Sequence, residues 1–302
     1  MPPRIRPRRS VLFMPGANLR ALEKARDLPA DGLIFDLEDA VAPTAKDTAR
    51  AAVAQALQAG GYGRRELVLR VNALETPWGE ADLTAAAGLP IDAVLLPKVE
   101  SADQVCRVVS RVDELRAPAA LAVWCMLETP RGILAAGEIA AASPRVAALV
   151  AGTSDLTNDL HALHTRDRAP LITALGLLLL AARSHGLAAL DGVHLDLADD
   201  EGFAFACHQG RAFGFDGKTL IHPKQIEPAN AAFAPSPEEV AWSRRVVAAH
   251  AKAEAQGIGV TLLDGRLVEN LHVDEARRVL AIADEIEHPP AEQATAVQPR
   301  PD

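Results

Sequence analysis

The sequence predicts an α/β protein: a (β/α)8 TIM barrel with a C-terminal helical lid extension. Eight short apolar segments of β-like composition recur along the chain, with helix-like stretches between them, and at least six of these segments end in an ionisable or metal-friendly residue. The polar ends follow one another at a mean interval of about 30 residues, the length of one strand–helix unit. Because such a barrel carries its chemistry at the C-terminal ends of its strands, this pattern predicts one ring of side chains around one active site.

The predicted strands cover residues 10–15, 32–39, 66–72, 93–99, 122–129, 148–156, 186–193 and 217–223. They are apolar without strict alternation, which is typical of a parallel sheet whose outer face is covered by helices. The polar groups that end them, from the second strand onward, are Glu38 with Asp39, Arg70, Lys98, Glu128, Asp155, Asp191 and His222.

Helix start and stop signals delimit the stretches between the strands. Pro43 and Thr44 open a helix that runs to about residue 59, where two glycines end it, and Ser101 begins another. The apolar run 171–182 predicts a buried helix of the barrel. Ser236, followed by a proline and two acidic residues, begins a capped helix that extends to about residue 256.

The expected organisation is a flexible tail at residues 1–9, a catalytic barrel at 10–232, a helical lid or oligomerisation segment at 233–287 and a disordered tail at 288–302. Within the lid segment, a short strand-like turn at 260–264 precedes a final helix at about 273–286. A barrel does not need these last helices to close, which is why a lid or an oligomer contact is expected there.

The composition is typical of a globular protein with one large core, and it argues against nucleic-acid-binding, disulfide-rich and membrane-spanning classes. With 302 residues and 49% hydrophobic residues, the chain can bury one large core, and its net charge of −9 argues against a nucleic-acid partner. Three cysteines without a CxxC spacing suggest neither a disulfide framework nor a zinc site, which fits a reducing cytoplasm. The arginines at positions 4, 6, 8 and 9 lack an apolar segment behind them, so no secretory signal is expected. The longest apolar run is too short to span a bilayer.

Glu128 and Asp155 form the strongest candidate pair. They end neighbouring predicted strands, so their carboxylates are expected to converge at one mouth of the barrel. Two carboxylates, with water and an oxygen-bearing substrate, are a usual way to hold Mg²⁺. The small residues Gly152, Thr153 and Ser154 before Asp155 leave backbone N–H groups for a substrate carboxylate. The alternative is that each acid only caps the helix that follows it.

Arg70 lies in an apolar strand, where an unpaired charge is costly. It is expected either to form a salt bridge with Glu38 or Asp39, or to direct its donors at a carbonyl or enolate oxygen. Glu38 and Asp39 are candidates for acceptors that orient metal-bound water. Lys98 would neutralise the site or pair with an acid, and His222 is expected to be structural.

At these residues the chain resembles the HpcH/HpaI aldolase/citrate lyase family, in particular the citrate lyase beta subunit and its CoA-dependent relatives, the malyl-CoA and citramalyl-CoA lyases. The matching segments span about residues 9 to 285. They are RSVLFMPG at 9–16, KA at 24–25, DLEDAV at 36–41, LRVN at 69–72, LPK at 96–98, ETPRG at 128–132, GTSDL at 152–156 and GKTLIHP at 217–223.

The resemblance implies Mg²⁺ held by Glu128 and Asp155, with Arg70 at the reacting carbonyl. It places CoA near the first strand and its loop, where Pro15, Asn18 and Lys24 are the candidate contacts, and it implies a homotrimer or hexamer. In CoA-dependent members, a turn after the barrel supplies an aspartate, followed by a proline, to a neighbouring subunit's site. The acid at the corresponding position is Glu269, and that proline is absent.

The activity expected from the resemblance is Mg²⁺-dependent carbon–carbon cleavage. A carboxylated 3-hydroxyacyl-CoA, of the malyl-CoA or citramalyl-CoA type, would give a 2-oxo acid and an acyl-CoA. Three alternatives remain open: the citryl-carrier-protein lyase subunit of a citrate lyase complex, thioester hydrolysis on the same scaffold, and binding of an oxo acid without turnover.

Overall fold

The computed structural model describes residues 6–257 and 259–288, and its centre is a closed barrel of eight parallel strands in sequential order. The strands are β1 (Ser10–Pro15), β2 (Gly32–Asp36), β3 (Glu66–Arg70), β4 (Ala93–Leu96), β5 (Ala122–Leu127), β6 (Val146–Ala151), β7 (Ala188–Asp191) and β8 (Gly217–Leu220). β8 pairs with β1 and closes the ring. The fold class predicted for the barrel is therefore confirmed.

Helices separate the strands and cover the outside of the barrel. They are α1 (Leu19–Lys24), α2 (Lys46–Ala59), α3 (Gly79–Ala86), α4 (Ala102–Glu114), α5 (Pro130–Leu134), α6 (Ala136–Ala141), α7 (Thr153–Asp159), α8 (Ile172–Ser184), α9 (Asp200–Phe213) and α10 (Ile226–Phe233). Local sequence sets several of their starts. Ser101 closes a capping box with Gln104, and the Thr129 side chain accepts from the Gly132 N–H with Pro130 at the first helical position.

Alternate residues of each strand fill the barrel. Trp124 is the largest interior side chain and is fully buried, with Ala93 and Ala148 in the same cluster beside branched residues such as Val68 and Ile34. The residues between them face outward into the larger apolar layer under the helices. Both faces of every strand are thus buried, which explains why the strands read as continuous apolar runs.

Parallel register aligns the C-terminal ends of the strands at one rim. Pro15 of β1 lies beside Asp36 of β2, and Asp36 lies beside Arg70 of β3. Asp36 and Arg70 continue the inward-facing series of Ile34 and Val68, because side chains alternate along a strand. The rim therefore brings charged groups from neighbouring strands into side-chain contact.

The start of the chain differs from the flexible tail predicted for residues 1–9. Arg8 pairs with Glu66 (Nε–Oε2 2.6 Å) and Arg9 with Asp31 (Nε–Oδ2 2.8 Å). These ion pairs fix both arginines, so the prediction is wrong for residues 8 and 9. Residues 1–5, and the predicted disordered tail from residue 289 onward, lie outside the described residues.

Residues 8–233 form one compact unit, and residues 234–288 belong to a second. The second unit contains α11 (Pro237–Glu254), a hairpin of β9 (Thr261–Leu263) and β10 (Arg266–Val268), and α12 (Asn270–Glu287). Ser236 caps α11 with a capping box, as predicted. The hairpin replaces the predicted strand-like turn, and α12 starts three residues before the predicted position.

The helix predicted as buried over the run 171–182 is only partly so. α8 buries Leu175, Leu178 and Ala182 but leaves Leu180 71% exposed, so one of its faces meets solvent in this chain.

No helix among the described residues is long and apolar enough to cross a membrane.

Candidate active site

A cavity of about 400 Å³ opens at the C-terminal ends of the barrel strands. Its lining combines five acidic or basic side chains and a Gly-Thr-Ser turn with an apolar wall. The lining residues are Phe13, Pro15, Asp36, Asp39, Ala40, Arg70, Met126, Glu128, Ala151, Gly152, Thr153, Ser154, Asp155, Val193, Leu195, Thr219 and Ile221. The cavity lies where a barrel of this class carries its chemistry.

Glu128 and Asp155 meet on one side of this cavity. Glu128 directly follows β5 and is 2% exposed, and the Lys98 backbone N–H donates to its Oε1 (2.7 Å). Burial raises the pKa of Glu128 to about 8, and a carboxyl hydrogen bond with Asp155 adds to the rise. Asp155 lies in the first turn of α7 rather than at a strand end. The geometric convergence expected from the sequence is present.

Such a pair has the chemistry of a divalent-cation site. Two close carboxylates cannot both ionise cheaply in a buried setting, and a shared cation removes that cost. Among the described residues there is no group of three or more His, Cys, Asp or Glu side chains able to hold a metal ion. The pair would therefore supply two ligands, and water or substrate oxygens the rest, as is usual for Mg²⁺.

Gly152 is required by the approach of Glu128. A Cβ at position 152 would lie 2.3 Å from the Glu128 Cβ and 2.6 Å from its Oε2. Only glycine lets the turn after β6 pass so close to the carboxylate. The turn then brings Thr153 and Ser154 to the cavity wall, where the sequence placed them.

Arg70 ends β3, two strands away from β5, which Glu128 follows. Its Nε and Nη2 donate to the two oxygens of Asp36 (2.7 and 2.6 Å), its Nη1 lies 3.0 Å from Glu38 Oε2, and the Phe13 ring centroid lies 4.9 Å from its Cζ. Burial would lower the pKa of Arg70, but Asp36 and the other acids outweigh burial and raise it. The salt bridge considered for Glu38 is present, whereas the main partner, Asp36, was missed. The sequence signal for Asp36 was its spacing: it follows the inward-facing Ile34 by two residues, and side chains two apart on a strand face the same way.

Lys98 connects Arg70's partners to Glu128. Its Nζ binds Glu38 Oε1 (2.8 Å) and lies 3.5 Å from Asp39 Oδ1, while its N–H holds Glu128. Its backbone takes a left-handed φ of 49°, an uncommon state for a residue with a side chain. Both expected roles of Lys98, neutralising the site and pairing with an acid, are seen.

The two acids beside Lys98, Glu38 and Asp39, differ in the direction of their pKa shifts. Burial raises the pKa of Glu38, against the opposing charge of Arg70 and the hydrogen bond with Lys98. Burial would also raise the pKa of Asp39, but its hydrogen bond with Glu38 and the charges of Arg70 and Lys98 outweigh burial and lower it. The Asp39 side chain is 55% exposed and lines the cavity wall.

Four members of the predicted ring do not line the cavity: Glu38 and Lys98, which contact the lining residues Arg70 and Glu128, and Asp191 and His222. Asp191 faces the helical layer, where it pairs with Arg168 (2.7 Å) and Lys218 (2.9 Å) and is fully buried. Its inward-facing neighbour on β7 is Leu190, so the ring prediction was wrong by one residue of register. His222 accepts from the Lys224 N–H at the start of a 3-10 turn, which is the structural role expected for it.

Of the three candidate CoA contacts, only Pro15 lines the cavity. Asn18 caps α1, accepting from the Ala21 N–H (3.1 Å), and Lys24 ends that helix with an exposed side chain. Glu269 is the N-cap of α12, where its carbonyl accepts from the His272 N–H (3.0 Å) and its own N–H donates to His272 Nδ1 (3.1 Å). Roles for these residues in ligand binding or catalysis stay predictions.

Comparison with known proteins decides the family. A model of the HpcH/HpaI aldolase/citrate lyase family matches residues 9–223. The chain belongs to this family. The family contains a (3S)-malyl-CoA thioesterase of Cereibacter sphaeroides, 49% identical over 93% of this chain and 96% of the relative. It also contains the citrate lyase subunit beta of Escherichia coli, 39% identical over 92% of this chain and 94% of that subunit.

Solved structures of the family agree with the fold. CitE from Mycobacterium tuberculosis, in complex with magnesium, acetoacetate and coenzyme A, superposes with a TM-score of 0.73 at 34% identity, covering 91% of this chain and 98% of CitE. The citrate lyase beta subunit of the same organism, complexed with oxaloacetate and magnesium, gives a TM-score of 0.65 at 35% identity, covering 76% and 98%. The resemblance read from the sequence is confirmed.

Proposed function

We propose that this protein is a Mg²⁺-dependent hydrolase of a malyl-CoA-type thioester. The observation that carries the proposal is the 49% identity, over nearly the whole chain, to a (3S)-malyl-CoA thioesterase. The sequence alone favoured carbon–carbon cleavage of the same kind of CoA ester. Because this relative is a thioesterase, we rank hydrolysis above carbon–carbon cleavage and keep the same class of substrate.

The Glu128 and Asp155 pair supports the choice of Mg²⁺. CitE relatives were solved with magnesium together with acetoacetate or oxaloacetate. Here the two acids would hold the cation, and the close approach of the buried Glu128 to the half-buried Asp155 fits a divalent charge. When bound, the ion would polarise carboxylate, hydroxyl or carbonyl oxygens of the substrate as a Lewis acid.

Arg70 is placed to stabilise the reacting carbonyl. Of its five N–H groups, two donate to Asp36 and one faces Glu38, which leaves donors for a ligand in the cavity it lines. In hydrolysis, water oxygen bonds to the thioester carbon as the water loses a proton, and the carbonyl oxygen becomes negative. The carbonyl then re-forms as the C–S bond breaks, which gives the carboxylic acid and a CoA thiolate that takes up the proton removed from water. A preorganised guanidinium would stabilise that negative oxygen.

Asp39 is the proposed acceptor of the water proton. It lines the cavity and is about half exposed, whereas both oxygens of the Glu38 carboxylate are occupied by Arg70 and Lys98. Glu38 would then orient Arg70 and Lys98 rather than move a proton. Glu269 remains a second candidate for general acid or base, acting in a neighbouring subunit of a trimer or hexamer. Pro15, Asn18 and Lys24 remain the proposed CoA contacts, and a cytoplasmic location remains proposed.

Carbon–carbon cleavage is the second candidate function, and the 39% identity to the citrate lyase subunit beta supports it. Arg70 would then stabilise the enolate oxygen of the departing acyl-CoA. The same cavity serves both reactions, because both place negative charge on the thioester oxygen.

The test distinguishes hydrolysis from carbon–carbon cleavage by the products that each reaction forms. Purified protein receives (3S)-malyl-CoA with Mg²⁺, and free thiol is followed with a thiol reagent while glyoxylate and acetyl-CoA are measured by chromatography. Thiol release without glyoxylate supports hydrolysis. Glyoxylate with acetyl-CoA assigns the chain to cleavage instead. Neither product from malyl-CoA or citramalyl-CoA, with or without a chelator, overturns the proposal.

A further inference from the structure

Lys46 is a deeply buried cation outside the cavity. It opens α2 and is 6% exposed, yet it forms no ion pair with any residue that the structure describes. Its Nζ instead donates to three neutral oxygens: Leu37 O (2.8 Å), Glu38 O (2.8 Å) and Asn72 Oδ1 (2.7 Å). All three ammonium donors are therefore used. Burying a charge among neutral acceptors costs free energy. We therefore ask what the three hydrogen bonds of Lys46 hold in place.

Those contacts hold the turn that carries Glu38. The Glu38 carbonyl accepts from Lys46 and from the Val41 N–H (3.0 Å), and the Glu38 N–H donates to Asp36 Oδ1 (2.9 Å). With its backbone fixed at both ends, Glu38 has few orientations left. Its carboxylate then meets Arg70 on one oxygen and Lys98 on the other.

A second layer fixes Lys46 itself. Asn72 donates to Leu37 O (2.9 Å) and to Asp82 Oδ2 (2.6 Å), and Arg50 donates to Asp82 Oδ1 (2.6 Å). The Trp78 ring lies over the ammonium, 5.2 Å from Nζ to the ring centroid. The contacts therefore run from Arg50 through Asp82 and Asn72 to Lys46, and from Lys46 to the carbonyl of Glu38.

We propose that Lys46 is a positioning residue that fixes the Glu38 turn and, through the Glu38 carboxylate, the Arg70 guanidinium that faces the reacting carbonyl. The proposal rests on the proposed function for its kinetic consequences. Lys46 itself does not line the cavity, so it touches neither substrate nor metal. Misplacing a catalytic group by about 1 Å can lower the rate on the order of 10²-fold, which is the scale on which this residue acts.

The kinetic test compares three variants of the full-length protein. Lys46→Met removes the donors but keeps an unbranched stem as far as Cε, Lys46→Arg keeps a cation, and Arg65→Met is the matched control. Arg65 also donates to two backbone carbonyls, Leu28 O (2.6 Å) and Tyr62 O (2.8 Å), but just before β3 begins, at the end of the strands away from the cavity.

For Lys46→Met we expect kcat to fall on the order of 10- to 100-fold, with KM and calorimetric Mg²⁺ affinity nearly unchanged. Lys46→Arg should regain part of kcat. Arg65→Met should lower the melting temperature without lowering kcat. Wild-type kcat in folded Lys46→Met, or an equal loss of kcat in Arg65→Met, overturns the proposal.

A readout without turnover separates this inference from the proposed reaction. Hydrogen exchange of the Arg70 Nε–H, identified by its absence from the ¹⁵N spectrum of Arg70→Lys, reports how firmly the guanidinium is held. Exchange should quicken in Lys46→Met, recover in Lys46→Arg and stay unchanged in Arg65→Met. Unchanged exchange in both Lys46 variants overturns the positioning role, whatever reaction the wild-type protein performs.

Discussion

Replacing Arg70 by lysine tests the carbonyl-stabilising role, because the charge is kept while the planar fork is lost. Arg70 makes two bonds to Asp36 and one to Glu38. A single ammonium on a shorter side chain cannot reproduce this set, so at least one bond to a carboxylate is lost. Each such bond contributes about 1.5–3 kcal/mol, and the free energy of unfolding should fall by roughly that amount.

The kinetic effect should exceed what lost stability explains. Losing one donor to a developing oxyanion costs roughly 10²- to 10³-fold in kcat, so we expect a fall of roughly 10²-fold in Arg70→Lys. Mg²⁺ affinity, measured by calorimetry, should be nearly kept, because the acids that Arg70 binds among the described residues are Asp36, Glu38 and Asp39 rather than Glu128 or Asp155. Steady-state thiol release and thermal unfolding would be measured on the same preparations.

Arg168→Lys is the matched control. Arg168 also forms a two-oxygen contact with a buried aspartate, Asp191 (2.7 and 2.8 Å), but it faces the helical layer. This variant should lose stability to a similar extent and keep wild-type kcat. Wild-type turnover in Arg70→Lys, or an equal loss of kcat in Arg168→Lys, would refute the assigned role.

Three further predictions concern the acids. Glu128→Gln and Asp155→Asn should each abolish calorimetric Mg²⁺ binding in a folded protein, and unchanged affinity in both would remove the metal assignment. Gly152→Ala should lower kcat and Mg²⁺ affinity roughly tenfold or more, because the new methyl displaces the Glu128 carboxylate, and wild-type values would show that this contact is unimportant. Glu269→Gln should be inactive alone but recover activity when mixed with Asp155→Ala subunits, if Glu269 serves a neighbouring site; full activity alone, or no recovery in verified mixed oligomers, contradicts that role.

The barrel was predictable because each strand is buried on both faces and each helix starts with a local signal. Strand starts were mostly placed correctly, but their ends were placed too late. Glu38, Lys98 and Glu128 were counted within strands, whereas each follows the last paired residue. An apolar run with a polar end does not show where pairing stops, since the polar residue can belong to either the strand or the turn.

The site was predictable only in part, for a related reason. Glu128, Asp155 and Arg70 stood out as charges in apolar surroundings, and the cavity brings them to one rim. Asp36 was missed and Asp191 was placed wrongly, because a shift of one residue decides whether a strand side chain faces inward or outward. Partner choice, such as Arg70 with Asp36, depends on register between strands that a single sequence does not display.

The backbone of Lys98 ties the two sides of the cavity into one unit. A cation that draws Glu128 towards Asp155 acts on the same residue whose ammonium holds Glu38. The link acts when both ligands are bound: a substrate group at Arg70 and the cation at Glu128 would then each strengthen the binding of the other by the same factor, whereas binding of the cation alone would depend on Glu128 and Asp155. Synergy between the two ligands thus needs no large movement of the barrel. Glycine at position 98 would adopt the left-handed backbone freely and still hold Glu128, but it would uncouple the two ligands.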